Sequence, residues 1–448
     1  MTAEILKMLQ DCYRQCRKCN HVNMFKNINM LTWSPLDEGR RSPYVYKNLM
    51  KGGVSMRAKD YFSEQELIDL TTHLVSIESH KDCAEEESEV ARMLHALMHS
   101  EGIPSEVKEV DSSRLNIFAT IAGTESATAL MLNGHTDTIP GFNMDFPPFE
   151  PFIKDGNLYG RGAVDMKGGI AAMVAALIAV KRAGLKLKKG VVFAGVIDEE
   201  QCSKGTEQIV KELNIRPEMA IIGEPTKLEV AIAHKGMEWT EVIFKGRSGH
   251  GSRPYEGNNA IYAATEFVSL VRSELIPQVE DTKFDLLGNA TLNVGVIKGG
   301  DDPNVIPDTC IVQIDRRWLP NEDIDEIYSQ YNAFAARAAK VTGCTFTVRC
   351  MEEAVASLKN TPHRIEAGDR LVTEALAAVE QVTGKKQEPV AFPAWSDAAL
   401  LSNNIGTRCI VLGPGNIDQA HTNNEFCSIK DIIDASEIYL DLIKRLCL

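Results

Sequence analysis

The chain has 448 residues, of which 44% are hydrophobic and 25% are charged, a composition typical of globular proteins. Its length exceeds what one hydrophobic core usually holds, so we expect more than one domain. The formal net charge of −14 argues against nucleic acid and anionic membranes as partners, because both repel an acidic protein.

The cellular location is predicted from the cysteines and the apolar runs. Eleven cysteines are scattered without a paired framework, and their odd number favours free thiols in a reducing compartment. The longest apolar run, Gly169 to Val180, is too short to cross a bilayer, and no signal-like apolar segment opens the chain. We therefore predict a cytoplasmic protein that does not bind membranes.

Residues 1–55 differ in charge from the rest of the chain. They hold nine Lys and Arg against four Asp and Glu, and Met56 begins a stretch that resembles a natural start followed by a capped helix. We predict that 1–55 is an N-terminal extension, either not native or poorly ordered. A zinc knuckle would need the ligands Cys12, Cys16, Cys19 and His21. Their spacing matches no established zinc pattern, so a loosely ordered tail is favoured.

From residue 63 the chain alternates between helical and strand-like segments. The spacing of apolar residues predicts helices over Glu64–Glu78, Glu86–Ser100 and Lys167–Ala183. Short apolar runs predict strands at Leu115–Ile121, Ala129–Leu132, Gly190–Ile197 and Met219–Ile222. Strands separated by helices indicate an α/β fold with a mostly parallel sheet flanked by helices.

The pattern changes near residue 230 and returns after about residue 355. The intervening segment has predicted strands at Val230–Gly246, Thr291–Val296, Cys310–Arg316 and Cys344–Cys350, and predicted helices near Asn258–Ser273 and Asp323–Thr342. A helix at His363–Val382, a strand at Arg408–Leu412 and a helix at Ile429–Cys447 follow. We expect a catalytic domain of residues 56–233 and 353–448, interrupted by an inserted α+β domain of residues 234–352.

Residues of metal-binding types follow the predicted strands. In chain order they are His135, Asp137, Asp165, Glu199, Glu200, Glu224 and His421. Because the carboxyl ends of parallel strands meet at one edge of an open α/β sheet, we expect these side chains to lie together. Two imidazoles and several carboxylates form a ligand set for zinc-type metals. The sequence therefore predicts a metal site at this edge.

The first three of these residues each have a simpler alternative. His135 and Asp137 stand two apart at a strand end, so their side chains point the same way. A ligating imidazole usually donates its other N–H to a carboxylate, so we interpret His135 as a ligand and Asp137 as its partner. A polar turn after a strand is the alternative. Asp165 lies in a glycine-rich turn, where it could cap the next helix or bridge two metals.

Glu199 and Glu200 directly follow a strand, and their adjacent side chains diverge. One carboxylate can therefore bind metal while the other faces the attacking water, as a general base must do without being coordinated itself. On this argument Glu199 is the base and Glu200 is the ligand. The alternative is an acidic pair favoured at a helix N-terminus. Glu224 again follows a strand, and His421, otherwise an ordinary surface histidine, completes the set.

Together the segments around these residues resemble the dizinc amidohydrolase family of acetylornithine deacetylase, succinyl-diaminopimelate desuccinylase, aminoacylase and glutamate carboxypeptidase. The matching strings appear in family order between residues 63 and 448. They are Asn133-Gly-His-Thr-Asp137, Tyr159-Gly-Arg-Gly-Ala-Val-Asp-Met-Lys-Gly-Gly169, Asp198-Glu-Glu200, Ile222-Gly-Glu-Pro-Thr226, Gly413-Pro-Gly415 and Ala420-His-Thr-Asn-Asn-Glu425. The resemblance implies that the inserted domain is a lid or dimerisation domain.

The resemblance also implies a cofactor and a role for each residue of the site. The cofactor is two zinc ions per subunit, for which cobalt can substitute. The implied roles place one metal on His135 and Glu224 and the other on Glu200 and His421, with Asp165 bridging, Asp137 supporting His135 and Glu199 as base. The protein is then a zinc-dependent amidohydrolase acting on linear amide bonds.

Further strings point to the substrate side of the site. His250, in Gly246-Arg-Ser-Gly-His250, resembles a family histidine that in dimeric relatives reaches the partner's active site and stabilises the oxyanion. From sequence alone a histidine between glycines is more often a loop residue. Asn304 and Arg317 resemble residues near the substrate, although Arg317 fits a surface ion pair equally well. Asp397 resembles a substrate-side element, but Trp395 beside it departs from the family pattern and leaves the substrate open.

The function implied by the resemblance is hydrolysis of the amide bond of an N-acyl amino acid or diamino acid. The alternative is a dipeptidase or carboxypeptidase acting on short peptides, and a non-catalytic metal-binding protein is a third hypothesis. The expected partners are a small-molecule substrate and a second copy of the chain in a homodimer.

Overall fold

The computed structural model describes residues 56–212, 215–351 and 356–448. The predicted extension of residues 1–55, including the four residues considered for a zinc knuckle, lies outside the described residues. The elements below are numbered in chain order within the described part.

The segment before the predicted insertion alternates helices and strands. Its helices are α1 (Glu64–Ser76), α2 (Ser88–Ser100), α3 (Gly168–Ala183) and α4 (Lys204–Lys211). Its strands are β1 (Ser105–Asp111), β2 (Arg114–Ile121), β3 (Thr128–His135), β4 (Phe152–Lys154), β5 (Asn157–Tyr159), β6 (Gly190–Val196), β7 (Met219–Ile222) and β8 (Ala231–His234).

The segment that follows β8 is richer in antiparallel strands. Its strands are β9 (Gly236–Lys245), β10 (Gly249–His250), β11 (Lys283–Phe284), β12 (Gly288–Asn289), β13 (Thr291–Gly299), β14 (Val305–Ile306), β15 (Thr309–Trp318) and β16 (Thr345–Cys350). Its helices are α5 (Ala260–Leu270), α6 (Ile276–Asp281) and α7 (Ile324–Thr342).

The last segment returns to alternation. Its helices are α8 (Arg370–Thr383), α9 (Ala398–Ile405) and α10 (Ile429–Cys447). Its strands are β17 (His363–Arg364), β18 (Val390–Ala391), β19 (Arg408–Val411) and β20 (Phe426–Ser428).

A nine-stranded sheet joins the first and last segments in the order β1-β2-β6-β3-β7-β19-β8-β17, with β18 beside β8. Its centre, β6-β3-β7-β19, is parallel, while β2 and β8 are antiparallel to their inner neighbours. Separate apolar clusters pack on the two faces of this sheet. The predicted α/β fold with a parallel core is therefore confirmed. The strands outside this core pair antiparallel, except that β18 is parallel to β8.

Helix α3 forms the middle of the larger core. It is apolar on all sides, and every residue from Gly168 to Val180 is buried. The stretch Ala163–Ala183 is long and apolar enough to cross a membrane, and its most apolar 18 residues, with a mean hydropathy of 1.8, are all buried within the protein. A helix that is hydrophobic all round belongs in a core or a membrane, and here neighbouring helices and the sheet cover it.

The middle segment builds a second sheet, β13-β15-β9-β16, whose pairs are all antiparallel. Helices α5 and α7 cover it and share a hydrophobic core of their own. The chain passes from the large sheet to the second one between His234 and Gly236. We propose that residues 56–233 and 353–448 form one domain and that residues 234–352 form the other.

Two predicted elements differ most in their bounds from the structure. The predicted strand Val230–Gly246 is two strands, β8 and β9, that belong to different sheets. A continuous apolar run does not show where a strand changes partners. The predicted helix His363–Val382 begins only at Arg370, because the Asp369 side chain accepts the Leu371 N–H at 2.8 Å and caps the helix there.

Replacing Leu177 by Ala should destabilise the region of the nine-stranded sheet. Leu177 lies in α3 and is fully buried, so the change leaves a cavity in the larger core. We expect the free energy of unfolding to fall by about 2–5 kcal/mol, measured by denaturant titration. Leu286→Ala is the matched control, because Leu286 is 55% exposed and should change stability little. Equal effects of the two substitutions would contradict the assigned core.

Candidate metal centre

The predicted ligands gather at the carboxyl ends of the parallel strands. His135 is the last residue of β3, Glu224 comes two residues after β7, and Glu199 and Glu200 follow β6 within four residues. Strand β3 lies between β6 and β7 and is parallel to both, so all three strands end at the same edge. His421 reaches this edge from the loop between β19 and β20.

One group of side chains surrounds His135. Its Nε2 lies 2.9 Å from Oδ1 of Asp165 and 3.6 Å from Oε1 of Glu224. Donor atoms of His135, Glu199 and Glu224 all lie within 4.8 Å of one another, close enough to hold one metal ion. A histidine and two carboxylates are donors that zinc accepts.

A second group surrounds His421. Its Nε2 lies 2.9 Å from Oε1 of Glu200 and 3.4 Å from Oδ2 of Asp165. Donor atoms of Asp165, Glu200 and His421 also lie within 4.8 Å of one another. The two oxygens of Asp165 therefore face the two histidines separately, an arrangement suited to a carboxylate that bridges two metals.

Asp137 connects the two strands that supply most of the site. Its Oδ1 lies 3.4 Å from Nδ1 of His135, whose Nδ1 also lies 3.0 Å from the Asp137 carbonyl oxygen. The same carboxylate accepts the backbone N–H groups of Glu199 at 3.2 Å and of Glu200 at 2.9 Å. A single buried side chain thus orients His135 and fixes the start of the loop after β6.

The loop that carries Glu199 and Glu200 depends on an arginine that sequence analysis did not identify. Asp198 has a left-handed backbone with φ of 72°, and its carbonyl oxygen accepts the Cys202 N–H at 2.9 Å. Arg114 Nη1 donates to Asp198 Oδ1 at 2.8 Å, and Nη2 pairs with Glu87. Arg114 opens strand β2 far from the ligand strings, so only the folded chain brings it here.

The electrostatics of the site favour bound cations. Burial raises the pKa of Glu199 and of Glu224 well above the ordinary value. The charge of Glu224 adds to the rise for Glu199, and the charges of Asp165 and Glu200 add to the rise for Glu224. Oε1 of Glu224 is buried and accepts no hydrogen bond within the described residues. Divalent cations would offset the electrostatic cost of these buried carboxylates by pairing with their oxygens, so these residues fit a two-metal centre.

The histidines respond to the same carboxylates. Hydrogen bonds with Asp165 and Glu200 raise the pKa of His421 to about 10 despite some burial. Burial would lower the pKa of His135, but Glu224, Asp137 and Asp165 raise it well above the ordinary value. Metal ligation requires neutral imidazoles, so binding a cation here must release protons.

Three predicted substrate-side residues lie in the second sheet and its loops, apart from these two groups. His250 is exposed, and its Nδ1 lies 2.8 Å from the Ser252 hydroxyl oxygen. The carbonyl oxygen of Asn304 accepts the Gly251 N–H at 2.7 Å, so Asn304 is next to the His250 turn. Arg317 pairs with Asp315, with Nε and Oδ1 3.0 Å apart.

Asp397 is placed differently from the other predicted substrate-side residues. It is only 1% exposed, and its Oδ2 accepts the Thr206 hydroxyl at 2.7 Å. Its Oδ1 is buried and accepts no hydrogen bond within the described residues. Burial raises the pKa of Asp397 to about 6. Thr206 belongs to α4, the helix that follows the Glu199 loop, so Asp397 contacts the first turn of that helix.

The fold and the site define a hydrolase with a candidate two-metal centre on an α/β sheet. The family model of peptidase family M20/M25/M40 matches residues 131–445. The chain therefore belongs to this family and is a metal-dependent amidohydrolase.

Individual relatives agree with the family match. An acetylornithine deacetylase from Pasteurella multocida (strain Pm70) is 31% identical over 379 residues, 83% of this chain and 94% of the relative. Another from Proteus mirabilis (strain HI4320) is 32% identical, covering 78% of this chain and 87% of the relative. The crystal structure of aminopeptidase PepT from Bacillus cereus ATCC 10987 has the same fold, with a TM-score of 0.69 and 19% identity over 86% of this chain and 99% of its own.

Binding of Zn²⁺ should stabilise the metal-free protein. An ion that binds only the folded state contributes about 2.7 kcal/mol when its free concentration is 100 times its Kd, so the unfolding temperature should rise. Differential scanning fluorimetry with chelator and then with Zn²⁺ measures this rise. His421→Ala should reduce it, whereas His73→Ala, on an exposed position of α1, should not. An unfolding temperature that does not respond to Zn²⁺ would contradict a metal centre.

Proposed function

We propose that the protein is a deacylase that releases the free amine from an N-acyl amino acid or diamino acid. Two acetylornithine deacetylases are similar to this chain over most of their length, which supports this substrate class. The observation that carries the chemistry is the position of Glu199 beside His135 and Glu224, with its backbone N–H held by the Asp137 carboxylate.

The proposed metal ligands follow from the two donor groups. We assign His135 and Glu224 to one ion, Glu200 and His421 to the other, and Asp165 as the bridge. Glu199 is near enough to His135 and Glu224 to be a ligand itself, but hydrolysis also needs a carboxylate that is free to move a proton. We propose two Zn²⁺ ions per subunit, with Co²⁺ as a substitute, because imidazole and carboxylate donors suit both metals.

The proposed reaction assigns a proton pathway to Glu199. When bound, two divalent cations lower the pKa of an attacking water and polarise the amide carbonyl. Glu199 accepts one proton of that water as the water oxygen bonds to the carbonyl carbon. Glu199 then passes the proton to the amide nitrogen while the C–N bond breaks. The products are a carboxylate and a free amine, and Asp137 keeps the Glu199 backbone in place throughout.

A peptidase is the alternative within the same chemistry. The similarity of fold to an aminopeptidase supports it, and a peptide bond would meet the same Glu199. A turnover assay with N-acetylornithine, N-succinyl-diaminopimelate, other N-acyl amino acids and dipeptides, with added Zn²⁺ or Co²⁺, separates the two. We expect turnover of an N-acyl amino acid to exceed that of every dipeptide. Preferential cleavage of a dipeptide would make the peptidase the correct function.

The same assay tests the base. Glu199→Gln should lower kcat by about 10³-fold, the contribution of a general base, while leaving metal content unchanged. Metal content is measured by mass spectrometry of the purified variant. Glu212→Gln, an identical change at an exposed position, is the control and should retain native kcat. Near-native turnover of Glu199→Gln would show that another group accepts the proton.

We propose that His250 acts in the partner subunit of a homodimer. The ring of His250 makes hydrogen bonds with Ser252 in its own turn, through Nδ1, which leaves the exposed ring able to meet another chain. There it would donate a hydrogen bond to the carbonyl oxygen as negative charge develops. Asn304 and Arg317 lie in the same domain, and we propose that they contact the substrate together with Asp397.

Mixing two inactive variants tests action across subunits. His250→Ala should lower kcat by about 10²–10³-fold, as expected when a donor to the oxyanion is lost. After joint refolding with Glu199→Gln, mixed dimers contain one site with both residues intact, so activity should partly return. Each variant refolded alone is the control. The absence of recovery in dimers whose mixed composition is verified would contradict a role in trans.

We also propose a cytoplasmic location. Cys310, Cys409 and Cys427 are buried free thiols, which supports a reducing compartment.

A further inference from the structure

A buried ion pair underlies two of the proposed metal ligands. Arg161 is 2% exposed and Glu425 is fully buried, and Nη1 of the arginine lies 2.5 Å from Oε2 of the glutamate. Glu425 comes four residues after His421, and Arg161 comes four residues before Asp165. The pair therefore connects the segments that carry these two ligands, although it belongs to neither donor group.

Glu425 holds the Asp165 turn through its second oxygen. Oε1 accepts the backbone N–H groups of Val164 at 3.0 Å and of Asp165 at 3.3 Å. The backbone carbonyl of Glu425 also accepts the Gly160 N–H at 3.2 Å. Glu425 thus accepts three hydrogen bonds that fix the turn from Gly160 to Asp165. These bonds also set the direction in which the Asp165 carboxylate leaves the backbone.

Arg161 holds the His421 side of the site. Its Nη2 donates to the carbonyl oxygen of Thr422 at 3.4 Å, and its Nε donates to that of Pro140 at 3.3 Å. His421 has a left-handed backbone with φ of 61°, a conformation that a non-glycine residue keeps only when its surroundings enforce it. The guanidinium thus anchors the carbonyl of the residue that follows this strained histidine.

Resting on the two-metal centre proposed above, we infer that Arg161 and Glu425 are positioning residues that set the affinity of the site for its metals. Asp165 contributes one oxygen toward each histidine, so a small rotation of its turn would spoil both metal positions. Partners that orient metal ligands typically change metal affinity by about 10–100-fold when removed. The pair acts through Asp165 and His421 and does not touch the metals.

The test is the metal affinity of Glu425→Gln. Glutamine keeps the shape and an oxygen for the two N–H groups, but it removes the charge that pairs with Arg161. We expect the Zn²⁺ dissociation constant, measured by competition with a chromophoric chelator, to rise by about 10–100-fold. Excess Zn²⁺ should return kcat to near the native value with KM unchanged, because the base and substrate contacts are intact.

The inserted domain offers a matched control. Arg316 and Glu322 form another buried pair, 2.5 Å apart, and Oε2 of Glu322 also accepts a backbone N–H, that of Leu319, at 2.8 Å. Glu322→Gln therefore leaves a buried arginine unpaired in the same manner, away from the proposed ligands. We expect it to lower the unfolding temperature without changing the Zn²⁺ dissociation constant.

The outcomes separate this inference from the proposed function. Native affinity in Glu425→Gln, or an equal loss in Glu322→Gln, would overturn the positioning role while leaving the metal centre intact. A native protein that binds no Zn²⁺ would instead overturn the proposed function, and the inference with it.

If Glu425→Gln does not fold, Arg161→Lys serves in its place. Lysine keeps the charge but cannot reach Glu425, Thr422 and Pro140 together, so weaker Zn²⁺ binding is again expected and native affinity would overturn the role.

Discussion

Repulsion among buried carboxylates is the constraint on which the catalytic sheet depends. Glu199, Glu200 and Glu224 converge on Asp165 at one edge of the sheet, where burial penalises every negative charge. A fold can keep such a cluster only if cations or hydrogen-bond donors compensate it. The histidines supply part of this compensation. Oε1 of Glu224 accepts no hydrogen bond within the part of the chain that the structure describes, which indicates where a metal would supply more.

The compensation extends outward through charges that never reach the metals. The Asp137 carboxylate accepts hydrogen bonds from N–H groups at the start of the Glu199 loop, and Arg114 donates a hydrogen bond to Asp198 in the same loop. On the opposite side, the Arg161–Glu425 pair holds the turn before α3. Hydrogen bonds and ion pairs therefore hold the loops that carry the ligands. This support matters because a general base must lie within hydrogen-bond reach of a proton it removes.

The residues proposed to take part in the reaction come from two separate regions of the fold. Metal-type ligands and Glu199 lie at the edge of the large sheet, whereas Arg317 lies in the smaller antiparallel sheet and His250 and Asn304 lie in the segments that connect its strands. The passage between them is short, from the end of β8 to the start of β9. The candidate metal centre therefore belongs to one sheet, whereas three of the four proposed substrate contacts lie outside it.

The sequence by itself determined the alternation of strands and helices, the order of the ligand types, and the family. These features are local, since periodicity and flanking strings such as Asn133-Gly-His-Thr-Asp137 lie within a few residues. Tertiary structure alone decided that the apolar run after residue 230 changes sheets, and that Arg114 and Glu425 support the site. It also buried Asp397 against Thr206. Such contacts join residues far apart in the chain, and no local pattern records a partner that only folding brings near.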